Sequence, residues 1–451
     1  MEDVTYLSAR VLAGRIRRRE VTAVEVLGAY LERIAECNPL LNAVVSLDEG
    51  RALAAAREAD AALAGGAEVG PLHGVPMTLK DSHDVAGLRT TVGTPVLDRL
   101  PDEDGTVAAR LRAAGAVIVG HTNVPPFLAD YRTENDIFGR TCNPWNLARS
   151  PGGSSGGAAA ALAAGLTPVE VGSDLAGSLR LPPHFCGVYG LKATEHRVPT
   201  TGFFGSVGAP NPVRILGALG PMARDLDDLE LVLRVISGPD GIDGDVPPVP
   251  LPERGPVALA GQRLAVAPTL PEVQVATDLR EQVLRVAAGA ADAGAVVDHR
   301  LPDLDWTEQS IFVPLVESLT TALQPGTEQR TLAWYLRMLH RRDVFAAAWE
   351  QFFTRYAALI LPPAVSTAFA HDTTDVAAQG GMLVFANLAG LPALVVPAGK
   401  GADGLPIGIQ IIGPRWSEIR LITIAAALER AGILPGFVRP PEPAVASRHP
   451  E

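Results

Sequence analysis

An α/β fold, a single large domain with a central twisted mixed β-sheet flanked by helices, is what this 451-residue chain predicts. Three observations carry that reading. Amphipathic helical stretches alternate with short apolar β-branched runs, the rhythm of helices laid on a sheet. The composition, 47% hydrophobic with 45 Gly and 38 Pro, suits a packed chain with many turns rather than a disordered one. Strand-like runs also continue through the last hundred residues, so a core extends nearly the whole length.

In chain order, Thr22 can cap a helix in which Leu27, Tyr30, Leu31 and Ile34 recur at helical spacing, and Asn38-Pro39 should end it. A second helix follows at about Glu49 to Ala64, so residues 1–65 read as a helical segment packed on the core and 66–440 as one continuous core. A helix at Thr106 to Ala114, a stop at Gly115 and the strand Ala116 to Val119 form the first α/β unit. The unit recurs as a helix from Asp278 to Asp292, then Gly294, then Ala295 to Val297. Strands near Leu359 to Leu361, Leu394 to Val396 and Ile407 to Ile412 extend the sheet, and Ser417 should cap a last helix to Ala431.

Composition bounds the function. A formal net charge of -12 opposes binding to nucleic acid or an anionic membrane, and the one basic cluster, Arg15 with Arg17 to Arg19, reads as a solvated helix face. Three cysteines, Cys37, Cys142 and Cys186, without Cys-x-x-Cys spacing suit a reducing compartment, with Cys186 read as a small buried hydrophobe. The nine histidines lack metal-ligand spacing, so no metal is expected. The start lacks a basic segment followed by an apolar core, and no apolar run reaches the ~18 residues of a membrane helix, so a soluble cytoplasmic protein is expected.

Lys80, Lys192 and Lys400 are the only lysines among 38 basic residues. An amine kept in the apolar stretch Gly74-Val-Pro-Met-Thr-Leu-Lys80-Asp81 can lose its proton where a guanidinium could not. Downstream stand Ser150-Pro-Gly-Gly-Ser154-Ser155-Gly-Gly and Ser173-Asp174-Leu-Ala-Gly-Ser178-Leu-Arg180. A phosphate-binding loop is disfavoured, because no Gly-Lys-Ser/Thr and no Gly-x-Gly-x-x-Gly from strand to helix is present. A flexible linker is disfavoured because an alanine-rich helix and an apolar strand follow.

These three motifs, in this order, resemble the amidase signature family of serine hydrolases. The likeness extends to Gly120-His-Thr-Asn-Val-Pro125, Cys142-Asn-Pro-Trp145, Phe185-Cys-Gly-Val-Tyr-Gly-Leu-Lys192, Gly220-Pro-Met-Ala-Arg224 and Gly404-Leu-Pro-Ile-Gly-Ile-Gln410, and so to most of residues 60 to 430. The resemblance implies that family's fold and a catalytic set of Lys80, Ser154 and Ser178. Ser178 would be the nucleophile and Ser154, after a cis Gly153–Ser154 bond, would relay its proton to Lys80. Ser155 would position the lysine, and Asp174 and Arg180 would support the site. The backbone N–H groups of Leu175, Ala176, Gly177 and Ser178 would face the oxyanion; the family more often has Gly where this chain has Ala176. The turn-rich stretch from Gly238 to Pro252 reads as a surface loop, because the strands after it still resemble the family's core.

The chemistry is physically coherent. A serine hydroxyl needs a base, a Ser–Lys pair is one known arrangement, and desolvation by Val75, Pro76, Met77 and Leu79 lowers the proton affinity of the amine. A carboxylate close to Lys80 would oppose this, so the Asp81 side chain should face away. By the resemblance, Leu128, Ala129, Asp130 and Tyr131 are the candidates for substrate binding. Residues 300–355, with Trp306, Phe312, Trp334, Tyr335 and Trp349, should either cover the substrate or fill a core. The expected activity is hydrolysis of a small-molecule carboxamide through a serine acyl-enzyme, without a cofactor. The alternatives are an acyltransferase, a cyclase or one component of an amidotransferase working through the same acyl-enzyme, or a non-catalytic binding relative. The expected partners are the amide substrate and at most a second copy of the chain, with esterase activity on the side.

Overall fold

The computed structural model describes residues 3–205, 211, 214–256, 258–321 and 330–442. An eight-stranded mixed sheet runs in the order Val296–Asp298, Arg263–Val266, Ala358–Leu361, Pro406–Ile412, Ala393–Lys400, Tyr189–Lys192, Ala218–Ala223, Val169–Asp174. The first three pair in parallel and the other five join them through antiparallel ladders. The strand Pro406–Ile412 is buried along its whole length, as its Ile407, Ile409, Ile411 and Ile412 require. A smaller sheet of Val44–Leu47, Val117–Thr122 and Pro76–Lys80 lies beside it. Lys80 ends its strand opposite Thr122.

The helices follow the sequence with two corrections. Thr22 caps Ala23–Leu41 through a reciprocal bond with Glu25, but the helix passes through Asn38-Pro39 and ends at Asn42, whose φ is 50°. Pro39 falls in the last turn, where its missing N–H removes only one bond, and the Asn42 N–H closes on the Asn38 carbonyl at 2.7 Å. Ser417 stands at the start of Glu418–Arg430 without capping it; its hydroxyl donates to the Pro414 carbonyl instead. The helices Glu49–Ala64 and Thr277–Asp292 lie where expected, and the 238–252 stretch is irregular. Arg17, Arg18 and Arg19 are exposed.

One apolar cluster joins Leu12, Leu27 and Tyr30 of the N-terminal helices to Met77 and Leu79 beside Lys80 and to Val171, Leu191, Leu394 and Ile411 of the large sheet. A second gathers around the buried Trp349, which stacks on Phe385 with ring centroids 5.0 Å apart. Phe312 belongs to that second core, and Trp306, Trp334 and Tyr335 pack against it partly buried. Most of the aromatic content of 300–355 is therefore core. Among the described residues no helix is long and apolar enough to cross a membrane, and no group of His, Cys, Asp and Glu is arranged to hold a metal ion.

The last helix is tied to the sheet by a buried ion pair. Glu418 accepts from the Thr194 N–H at 2.8 Å and from Arg197 at 3.2 and 3.3 Å, and the Arg197 guanidinium stacks 4.6 Å from the Trp416 ring. Removing one partner leaves the other charge buried without compensation, a loss of about 3–5 kcal/mol. Glu418→Ala should therefore lower the unfolding free energy by that order, read as a lower urea midpoint with little change in slope, and an unchanged midpoint would show that the pair contributes nothing.

Candidate active site

Three segments distant in sequence meet at one end of the two sheets. Lys80 arrives on its strand, Ser154 and Ser155 lie in the loop that opens the helix Gly156–Ala163, and Ser178 sits in the turn after the strand Val169–Asp174. The glycine-rich loop must pass close to a neighbouring chain segment: a Cβ on Gly153 would lie 2.5 Å from the Asp130 carbonyl oxygen. The Gly153–Ser154 bond is cis, as the resemblance implied. Thr133 Oγ donates to the Gly152 carbonyl at 2.8 Å and holds the loop there.

The Lys80 amine is wholly buried and lies 2.8 Å from Ser154 Oγ, 2.8 Å from Ser155 Oγ and 2.9 Å from Ser173 Oγ. Ser154 Oγ is 3.0 Å from Ser178 Oγ, and the Ser154 N–H donates to Ser178 Oγ at 2.9 Å. The result is an unbroken line of hydrogen bonds from the Ser178 hydroxyl to the Lys80 amine. Burial pushes Lys80 down to about 7, against the opposing pull of Asp174 and Glu170. Glu170 is itself pushed up to about 8 by burial, with Thr122 Oγ donating to it at 2.6 Å. Asp81 points away, as expected, its carboxylate accepting from the Thr91 N–H at 2.8 Å and the Thr91 hydroxyl at 2.5 Å.

Asp174 organises the turn that carries Ser178. Burial alone would raise its carboxyl, but the Arg180 guanidinium, Lys192 and the Asn387 amide together outweigh burial and hold it well below the usual carboxylate range. It accepts from Arg180 at 2.9 and 3.0 Å, from Asn387 Nδ2 at 2.9 Å and from the Gly177 and Leu179 N–H groups at 2.8 and 3.1 Å. Arg180 and Asp174 thus form a buried pair that shapes the turn from beneath. One expectation changes: the Gly177 N–H is committed to Asp174, leaving Leu175, Ala176 and Ser178 as turn residues whose N–H groups have no acceptor among the described residues. Gly177 itself needs to be glycine, with φ at 116° and the Leu383 side chain filling the space of any Cβ.

The four candidate substrate residues separate. Asp130 is turned to Arg132, which it meets at 2.9 and 3.2 Å, Ala129 is exposed, and Leu128 packs partly buried on the core. Of the four, Tyr131 alone reaches the turn that carries Ser178, its hydroxyl donating to the Ala176 carbonyl at 2.6 Å. Leu175 and Ala176 are half-buried; Asp174 and Arg180 meet the turn as a mutually compensated pair, whereas Tyr131 and Leu383, which also meet it, are uncharged. Cys186 is buried against the Pro151 carbonyl at 3.6 Å, its thiol pushed up by burial and therefore inert. Sequence reasoning missed Ser173 as an acceptor for Lys80 and Asn387 as a partner of Asp174. Ser173 was within reach of the motif, one residue before Asp174. Nothing local marks Asn387, 213 residues beyond Asp174.

The amidase family model matches residues 25–324 and 304–422. The A-type component of the glutamyl-tRNA(Gln) amidotransferase of Roseiflexus castenholzii is 36% identical over 483 residues, covering 95% of this chain and 96% of that protein. The structure of 6-aminohexanoate cyclic dimer hydrolase complexed with substrate superimposes with a TM-score of 0.84 at 28% identity, covering 97% of this chain and 99% of that one. The peptide amidase PAM, in complex with the competitive inhibitor chymostatin, does so with a TM-score of 0.81 at 26% identity, covering 96% and 99%. With its fold, its motifs in order and a family match over most of its length, this chain belongs to the amidase signature family.

Proposed function

We propose that this protein cleaves the C–N bond of a carboxamide through an acyl group carried on Ser178. The observation that carries the proposal is the line Ser178–Ser154–Lys80, at 3.0 and 2.8 Å, ending on an amine whose burial brings it to about 7. Ser178 Oγ attacks the carbonyl carbon while its proton passes to Ser154 and the Ser154 proton to neutral Lys80. The oxyanion is received by the N–H groups of Leu175, Ala176 and Ser178, donors of a kind worth about 3 kcal/mol each in other enzymes. On collapse the C–N bond breaks, and the leaving nitrogen takes a proton back along the same line. Water, deprotonated by the same relay, then releases the acid. Ser155 and Ser173 hold the amine, and Asp174 and Arg180 hold the turn.

A second reading concerns the fate of the nitrogen. Curated relatives at 31–36% identity are named as the A-type component of a glutamyl-tRNA(Gln) amidotransferase, which favours glutamine as amide donor and a partner protein that takes the nitrogen onward. Tyr131 and Leu383 at the turn, with Asp174 and Arg180 committed to each other, favour direct hydrolysis of an apolar amide. Ammonia release from L-glutamine and from benzamide, measured on the isolated chain, separates the two. Turnover of benzamide alone supports the hydrolase, and glutamine turnover supports the amidotransferase reading.

A fluorophosphonate probe should label Ser178 stoichiometrically, with the label lost in Ser178→Ala; peptide mapping that placed it elsewhere would overturn the assignment. The acylation rate should rise with pH through an inflection near 7, because Lys80 accepts a proton only once it has lost its own. Lys80→Ala should lower that rate by roughly 10²–10⁴ and remove the inflection, the range for loss of a positioned base. Full activity in that variant would sink the mechanism.

A further inference from the structure

We infer that Tyr131 is a positioning residue for the oxyanion site, locking the peptide unit between Ala176 and Gly177 against rotation; this rests on the serine acyl-transfer reading above. In a trans peptide the C=O and N–H point in opposite directions, so one plane is fixed when both ends are bonded. Here the Tyr131 hydroxyl donates to the Ala176 carbonyl at 2.6 Å, and the Gly177 N–H donates to Asp174 at 2.8 Å. Gly177, at φ 116°, is the residue about which such a unit could turn. The two bonds hold the plane that joins the Ala176 N–H to the Ser178 N–H, and so fix the direction of the free donors on either side.

Tyr131 is placed to do this because it touches both catalytic segments. Its backbone lies against Gly153, where a Cβ would sit 2.8 Å from the Tyr131 carbonyl carbon, directly before Ser154. Its hydroxyl lies at Gly380, where a Cβ would come within 3.0 Å. The relay loop and the oxyanion turn are therefore referenced to one residue, the first through its backbone and the second through its side chain, and the phenol stays a donor because burial pushes its pKa up. Asn387 holds a carbonyl two peptides earlier, donating to that of Asp174 at 3.1 Å. The substrate-binding role expected for Tyr131 gives way to one exerted through the backbone.

The test is Tyr131→Phe, which keeps the ring and removes the bond. The expected result is a fall in kcat of roughly tenfold, the scale of one neutral hydrogen bond, with KM unchanged. Affinity for a trifluoromethyl ketone, which must form an oxyanion on Ser178, should fall by the same factor, and the ionisation of its hemiketal, followed by ¹³C NMR, should move to higher pH. Fluorophosphonate labelling of Ser178 should persist in the variant, which separates a failed positioning role from a failed nucleophile assignment. Unchanged kcat and hemiketal ionisation in Tyr131→Phe would overturn the inference. A change in KM alone would return Tyr131 to substrate binding and overturn it equally.

Discussion

Everything in the site depends on the buried pairing of Asp174 with Arg180. A carboxylate taken out of water is tolerated only when its lone pairs are filled, and here they are filled by the turn it has to shape. The same atoms that compensate the charge, the Gly177 and Leu179 N–H groups, are those whose direction decides where Ser178 points. Arg180 passes the constraint outward, donating to the Leu383 carbonyl at 2.8 Å and to Asn387 Oδ1 at 2.5 Å. Stability and geometry are therefore one property in this region. A change at either charge cannot be confined to the turn.

Lys80 obeys the opposite rule. Its amine sits among hydroxyls and one backbone carbonyl rather than against a carboxylate, and the two acids in its field act only as partial opposition to burial. An ammonium offers three donors and no lone pair, whereas a neutral amine can accept from Ser154 while donating to Ser155 and Ser173. The hydroxyl environment satisfies both forms. That is what a group needs if it is to gain and lose a proton within each turnover. Asp81, turned to Thr91, and Glu170, with its raised proton affinity, are the arrangements that prevent a permanent ion pair.

Much of this was legible before any coordinates. The α/β rhythm around Gly115 and Gly294, the capping of the helix Ala23–Leu41 by Thr22 and the isolation of a lysine in an apolar stretch are local patterns, readable because 3.6- and 2-residue periods leave a trace in sequence. The two boundary errors have equally local causes: Pro39 falls where a helix can spare one N–H, and Ser417 has a nearer acceptor than the helix it precedes. The aromatic residues of 300–355 could not be divided between core and pocket from spacing alone. Trp349 became core because Phe385, from a distant helix, stacks on it.

By itself, then, the sequence determined which residue types stand ready for the proposed chemistry and in what order: the amine, the serine pair and the turn that carries Ser178, with glycines where backbones must approach. Tertiary structure alone decided which donors are free. Gly177 was expected to face the oxyanion and faces Asp174, while Tyr131 was expected to face substrate and holds the Ala176 carbonyl. The physical reason is that each backbone N–H has one direction and each buried charge must be filled: Asp174 is only three residues from Gly177, but Asn387, which helps fill its charge, lies 213 residues on, and Tyr131 lies 45 residues before the carbonyl it holds. No local pattern records that competition.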